Sequence, residues 1–208
     1  MRTRRAKAGT RTAERGERER IIADARRRFF AHGFRNVTMA DLATDLGMSK
    51  KTLYVHFADK SALLAAMIDD KLAHIQADLG GIMDARDMAF SDRLQRLLAA
   101  QRGHMAEIQP AFVRDVRREK PELFAHIQQG RRKVIHRCFG NLLKAGRKTG
   151  AIRTDIPVKV LIEILVSTVD AVLVPERVEE LGMTPRTAFS QLITVFLEGV
   201  LVREGRAK

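Results

Sequence analysis

Lys50 and Lys51 follow Ser49 directly, and Thr52, Tyr54 and His56 fall within the next five residues. Ser49 is a good helix N-cap, so both lysines lie in the first turn of the helix it starts, where ammonium groups oppose the helix dipole. An unfavourable local placement of two cations points to a role outside the helix, and duplex DNA in front of that turn is a physical candidate. Upstream, Thr38-Met39-Ala40-Asp41 reads as a capping box: an N-cap hydroxyl with a carboxylate three residues on. Met39, Leu42, Ala43 and Leu46 then form a short apolar stripe that ends at Gly47. Two short helices over 38–46 and 49–57, joined by a turn containing Gly47, make a helix-turn-helix, whose second helix is shaped to enter a major groove.

Other chemistry finds little support. Histidines stand at 32, 56, 74, 104, 126 and 136, without an i, i+4 pair or a His-Glu-x-x-His run, so no helical zinc site is expected. Gly-x-Ser-x-Gly and Gly-x-Gly-x-x-Gly are absent. The run from Gly140 to Thr149 echoes a phosphate loop but has five residues between its glycines, Arg147 before the lysine, and helical Leu142 and Leu143. It is read as helix. The one cysteine, Cys138, excludes a disulfide framework and reads as a small buried hydrophobe in a reducing compartment. No catalytic residue, metal or cofactor is expected.

The chain has 208 residues and a formal net charge of +13, with 45% hydrophobic and 30% charged residues, an ordinary globular composition. No apolar run approaches the roughly 18 residues of a membrane span, and the basic N-terminus has no apolar core after it, so a cytoplasmic protein without a signal peptide is expected. The charge is uneven. Residues 1–60 hold 15 Lys+Arg against 7 Asp+Glu, and residues 61–208 hold 23 against 18. Residues 1–13 carry five cations and no acid, too little apolar surface to order themselves. They read either as a solubilising tail or as an arm reaching phosphates or a minor groove.

Helical periodicity runs through almost every segment. Ile21, Ile22, Ala25, Phe29 and Phe30 predict a helix over 14–32 that stops at Gly33. Asp59 caps a fourth helix over 60–79, ended by Gly80-Gly81. Further helices are predicted over 91–108, 110–119, 121–148, 157–174 and 184–202, with Pro110, Pro121, Pro157 and Pro185 in first turns. The β-branched alternation from Val158 to Val166 resembles a strand, but its length favours a helix. The fold class is all-α: a disordered basic arm (1–13), a three-helix head with the helix-turn-helix (14–60), and a helical body (61–208).

The pieces "GF", "VTMADLA", "LGMSKKTLYVHF" and "DKSALL", in this order and spacing over residues 18–68, resemble the tetracycline-repressor (TetR) family. The resemblance implies a DNA-binding transcriptional regulator, a repressor released from a palindromic operator by a small-molecule effector. By position it implies that Lys50, Lys51 and Thr52 face base edges, that Tyr54, His56 and Lys60 contact phosphates, and that Thr38 meets a phosphate with its hydroxyl or N–H. The chemistry agrees, since lysine reads guanine O6 and N7 while a tyrosine hydroxyl suits phosphate. Lys51 departs from the small residue more usual there, so no operator sequence transfers.

The resemblance also implies a homodimer through the last two helices, with the stripes Leu161, Ile162, Leu165, Val169, Val172, Leu173 and Phe189, Leu192, Ile193, Phe196, Leu197, Val200 at the interface. Glu163, Ser167 and Asp170 share a helix face and read as a solvated edge or paired interface polars, or else as a pocket wall favouring a cation. His104, Phe112, His126 and His136 are cavity candidates. Two other classes stay open: an architectural, nucleoid-type DNA-binding protein without an effector, and an enzyme with an accessory DNA-binding head.

Overall fold

The computed structural model describes residues 2–85 and 88–202, with side chains from Glu14 onward, so the side chains of the predicted basic arm lie outside the described residues. The described residues form ten helices: α1 (Arg2–His32), α2 (Met39–Asp45), α3 (Lys50–His56), α4 (Lys60–Asp84), α5 (Phe90–Ala106), α6 (Pro110–Glu119), α7 (Pro121–Lys148), α8 (Val158–Val172), α9 (Pro175–Glu180) and α10 (Pro185–Val200). The fold is all-α. One isolated antiparallel bridge, Ile152 to Leu201, ties the chain after α10 to the loop between α7 and α8.

Local chemistry sets most of the boundaries. Thr38, Ser49, Asp59 and Thr184 each accept a hydrogen bond at a helix start, from the backbone N–H of Asp41, Thr52, Ala62 and Thr187. Gly33 and Gly47 stand at φ +84° and +64°, which a Cβ disfavours, and they turn the chain out of α1 and between α2 and α3.

Four expectations shift. α1 begins at Arg2 instead of 14, so the backbone of the expected disordered arm continues the first helix. Gly80-Gly81 does not end α4, because Leu79 on one side and Ile82 and Met83 on the other pack on the body core and outweigh the low helix propensity. Pro157 is the N-cap of α8 rather than a first-turn residue. The short α9, started by Pro175, was not anticipated; at six residues it is too brief for a periodic signal.

Two cores share one helix. The first joins Ile21, Phe29, Leu42 and Leu53 of the head to Leu63, Leu64 and Met67 of α4 and to Phe112 and Val116 of α6, so it continues past residue 60. The second joins Leu79, at the other end of α4, to Leu97, Leu142, Leu143, Val166 and Ile193.

The stripes on α8 and α10 belong to this second core: Leu161, Ile162, Leu165, Val169, Phe189, Leu192, Ile193 and Val200 are buried inside the protomer. These eight are therefore not free to meet a partner, while Val172, Leu173, Phe196 and Leu197 of the same stripes are half-buried against that core. The opposite faces carry exposed Val160, Ile164 and Val195. A period of 3.6 marks an apolar stripe but not whether its cover comes from the same chain.

Between the cores α4 is held against α7. A Cβ on Gly130 would fall 2.5 Å from Leu72 Cδ1, so a side chain there would have to displace the Leu72 methyls. Gly130→Val, whose branched side chain the Leu72 methyls cannot make room for alone, should destabilise the fold by about 1–3 kcal/mol through overpacking. Leu72→Ala in the same chain should recover part of that loss. Urea unfolding of the double-mutant cycle reads the coupling.

Candidate nucleic-acid interface

The helix-turn-helix is assembled from the bottom by capping and from the back by apolar contacts. Thr38 and Asp41 form the complete box: the Thr38 backbone N–H and hydroxyl donate to Asp41 Oδ2 at 2.8 and 2.7 Å, and the Asp41 N–H returns to Thr38 Oγ1 at 3.1 Å. Ser49 accepts from the Thr52 N–H at 3.0 Å, and the hydroxyls of Ser49 and Thr52 lie 2.9 Å apart. Leu53 and Phe57 drop into the head core and orient α3. Arg20 Nη2 donates to the Leu46 carbonyl at 2.9 Å and fixes the α2–α3 turn on α1.

This packing leaves one face of α3 outward. Lys50, Lys51, Tyr54 and Val55 are exposed there, as two i, i+4 pairs. The two lysines form no ion pair or hydrogen bond among the described residues. Many arginines of the head are spent internally: Arg28 pairs with Asp45, Arg27 with Asp24, Arg26 with Asp70, and Arg18 lies over the Phe57 ring.

The site residues expected from sequence divide. Lys50, Lys51 and Tyr54 come together on the open face, with Thr52 half-buried at its edge. His56 turns back instead: its Nε2 lies 3.2 Å from Glu17 Oε2 on α1 and its side chain is 12% exposed. Lys60 lies 4.2 Å over the Phe34 ring and 3.4 Å from the Arg35 carbonyl, and burial lowers its pKa. Thr38 gives both its donors to Asp41, so a phosphate reaching it would have to displace a carboxylate.

Val55 was missed. At 78% exposure it is the most exposed large hydrophobic residue described, and its position four residues after Lys51 was the available signal.

Behind the head, α1 and the helices from α4 to α10 line a cavity of about 360 Å³, with Phe30, Met67, Leu72, Ile127 and Phe189 on its walls. His104 and Phe112 line it as expected. His126 and His136 do not, pairing at the surface with Asp69 and Glu163. Asp170 is held by Arg131 and Arg132, each at 2.6 Å, so the acidic wall considered for Glu163, Ser167 and Asp170 is already neutralised at Asp170. Cys138 is buried, which raises its thiol pKa. The phosphate-loop echo lies inside α7.

Asp41 gives the head a pH signature. The Thr38 hydroxyl, then the Thr38 N–H, hold its carboxyl below the ordinary range. The stabilisation is thus present above the unfolded-state pKa of about 4 and is lost as pH falls through the lower folded value. Asp41→Asn should flatten that part of the acid limb in urea unfolding measured between pH 5 and pH 2.

Comparisons with known proteins agree with this geometry. Residues 21–67 match the family model for bacterial regulatory proteins of the tetR family. The HTH-type transcriptional repressor AcnR of Corynebacterium diphtheriae is 25% identical over 158 residues, covering 74% of this chain and 77% of that one. The HTH-type transcriptional regulator UidR of Escherichia coli is 25% identical over 189 residues, covering 88% and 92%. Among solved structures, a transcriptional regulator from Cytophaga hutchinsonii superposes with a TM-score of 0.66 at 20% identity, over 90% of this chain and all of that one. SmeT in complex with triclosan superposes at 0.61 and 21% identity, over 90% and 92%. The head of this chain thus carries the DNA-binding region of the tetR family of bacterial regulatory proteins, and over most of its length the chain shares the fold of solved transcriptional regulators.

Proposed function

We propose that this regulator is a repressor that reads a palindromic operator as a homodimer and lets go when a small molecule occupies the cavity between head and body. The observation that carries the reading is the open face of α3, where two lysines without ion-pair partners among the described residues stand beside Tyr54 and Val55. Lys50 and Lys51 suit guanine O6 and N7, Thr52 a neighbouring base edge, and Val55 a thymine methyl. The Tyr54 hydroxyl suits a phosphate. His56, Lys60 and Thr38, assigned to phosphates by family position, act here first as struts that hold α3 and the head, through Glu17, Phe34 and Asp41.

The outer faces of α8 and α10 support the dimer. Val160 and Ile164 are one turn apart on α8, and Val195 on α10 is 73% exposed. A two-fold reader needs half-sites about 34 Å or a multiple apart, which only a fixed pair of heads supplies. Ile164→Glu together with Val195→Glu should give a folded monomer by sedimentation, with operator affinity lost.

SmeT, which shares the fold, is solved in complex with triclosan, and this supports a small-molecule site in the cavity. For operator affinity to fall about 100-fold, the effector must prefer the released state by about 2.8 kcal/mol. Footprinting beside the protein's own gene should give a discrete palindromic protection. Lys50→Ala should weaken that site by about 1–3 kcal/mol while leaving random DNA less affected. Equal losses on both would remove Lys50 from base reading, and a featureless footprint would favour an architectural protein.

A further inference from the structure

On the reading that the cavity takes an effector, we infer that the effector is an amphipathic carboxylate whose head lies between Lys71 and Arg131 and whose apolar body fills the rest. Cations outnumber anions on the cavity wall: Lys71, Arg114 and Arg131 stand against one carboxylate, Glu179. Glu179 is already taken, 2.7 Å from Arg114 Nη2. The remaining wall is dominated by aliphatic, methionine and aromatic side chains, which select an apolar body.

Lys71 is the unusual residue. It is 6% exposed in the middle of α4, with Nζ 2.9 Å from Glu107 Oε1 and 3.3 Å from His104 Nδ1. Its ammonium also lies 5.9 Å from the centre of the Phe30 ring, a side chain of the head core. Glu107 is half-exposed at the C-terminal end of α5, so the partner of this buried cation is one that can swing away.

Arg131 sits across the α4–α7 seam, next to the Gly130 that seats on Leu72. Its Nη2 reaches Asp170 at 2.6 Å, but Asp170 also serves Arg132, and Arg131 Nε is buried with no acceptor among the described residues. One carboxylate thus answers two guanidinium groups, and a buried donor in the cavity wall still lacks an acceptor. A ligand carboxylate supplies that acceptor and replaces Glu107 on Lys71. Lys71 is already desolvated, so the exchange trades one carboxylate for another, and the net gain comes from burying the ligand's apolar body. A small hydrophilic anion gains little by the same exchange. A cation would meet Lys71 and Arg131 with no free acid to answer it.

The exchange has a direction. With Glu107 displaced, the tie between the middle of α4 and the end of α5 is lost, and α4 carries the helix-turn-helix at its other end.

The test is calorimetric titration of the full chain with octanoate, octanol, octyltrimethylammonium and acetate, with operator release followed by fluorescence anisotropy on the same samples. Octanoate should bind at least tenfold tighter than octanol, and acetate and the ammonium compound weakest. Lys71→Met and Arg131→Gln should each bring octanoate down to the affinity of octanol while octanol binding stays. Glu107→Gln, which removes the competing carboxylate, should tighten octanoate several-fold.

Equal affinity for octanoate and octanol, a preference for the cation, or no octanoate binding overturns the assignment, as does Glu107→Gln weakening octanoate. The two readings separate in the anisotropy. Charge-selective binding that leaves the operator complex intact supports the head-group assignment and removes effector release. Release by a neutral or cationic compound alone supports effector release and removes the carboxylate.

Discussion

One helix belonging to two cores constrains this protein more than any single contact. The N-terminal half of α4 packs Leu63, Leu64 and Met67 among the side chains that hold the helix-turn-helix, and its C-terminal half packs Leu79 in the body. A continuous α-helix of 25 residues is about 37 Å long at 1.5 Å per residue, and it bends little. A shift at one end must therefore be answered at the other by sliding or tilting. The contacts at the middle of α4 decide which of these is easy. Leu72 against Gly130 resists approach of α4 to α7, while the Lys71 tie to Glu107 joins α4 to α5 through a half-exposed partner. One contact is steric, the other ionic and replaceable, and both lie beside the same cavity.

The second link between head and body is α6. Phe112 meets Phe30 edge-on at 4.9 Å, the Gln109 N–H donates to the Phe30 carbonyl at 3.1 Å, and Asp115 accepts from the Arg35 N–H at 2.9 Å. These contacts grip the end of α1 and the turn after it, behind α3. The head is thus held at two points, and Phe30 touches both: it faces Phe112 on α6 and lies under Lys71 on α4. A change in the cavity wall reaches the head through a shared aromatic side chain as well as through the helix axis.

Much of the fold could be read in the sequence because its signals are local. The caps at Thr38, Ser49 and Asp59, the stops at Gly33 and Gly47, and prolines at 110 and 121 act within one turn, and α6 and α7 begin and end as expected. What could not be read depends on distant partners. Gly80-Gly81 reads as a break until the body core beneath Leu79 and Ile82 is known. The stripes of α8 and α10 are apolar in either an interface or an interior, and only the fold places them inside. His56 looks like a groove residue until Glu17, 39 positions earlier, is found beside it. Lys71 carried no signal, since a lysine amid the apolar residues of α4 reads as surface until the helices around it are placed.

The same contrast explains what the excess charge does. A net charge of +13 predicts attraction to any polyanion, without orientation. In the folded head, Arg20, Arg26 and Arg28 reach from α1 to the Leu46 carbonyl, Asp70 and Asp45, where they fix helix against helix, and Arg27 pairs with Asp24 within α1. What is left pointing outward is set by the period of α3: positions 50 and 54 and positions 51 and 55 line one face because 49, 53 and 57 are used for the cap and the core. Orientation therefore comes from the residues that are not charged. Leu53 and Phe57 decide where Lys50 and Lys51 point, just as Leu72 on Gly130 sets the depth at which Lys71 and Arg131 face the cavity. In both places the cations supply attraction, and apolar packing turns it into selection.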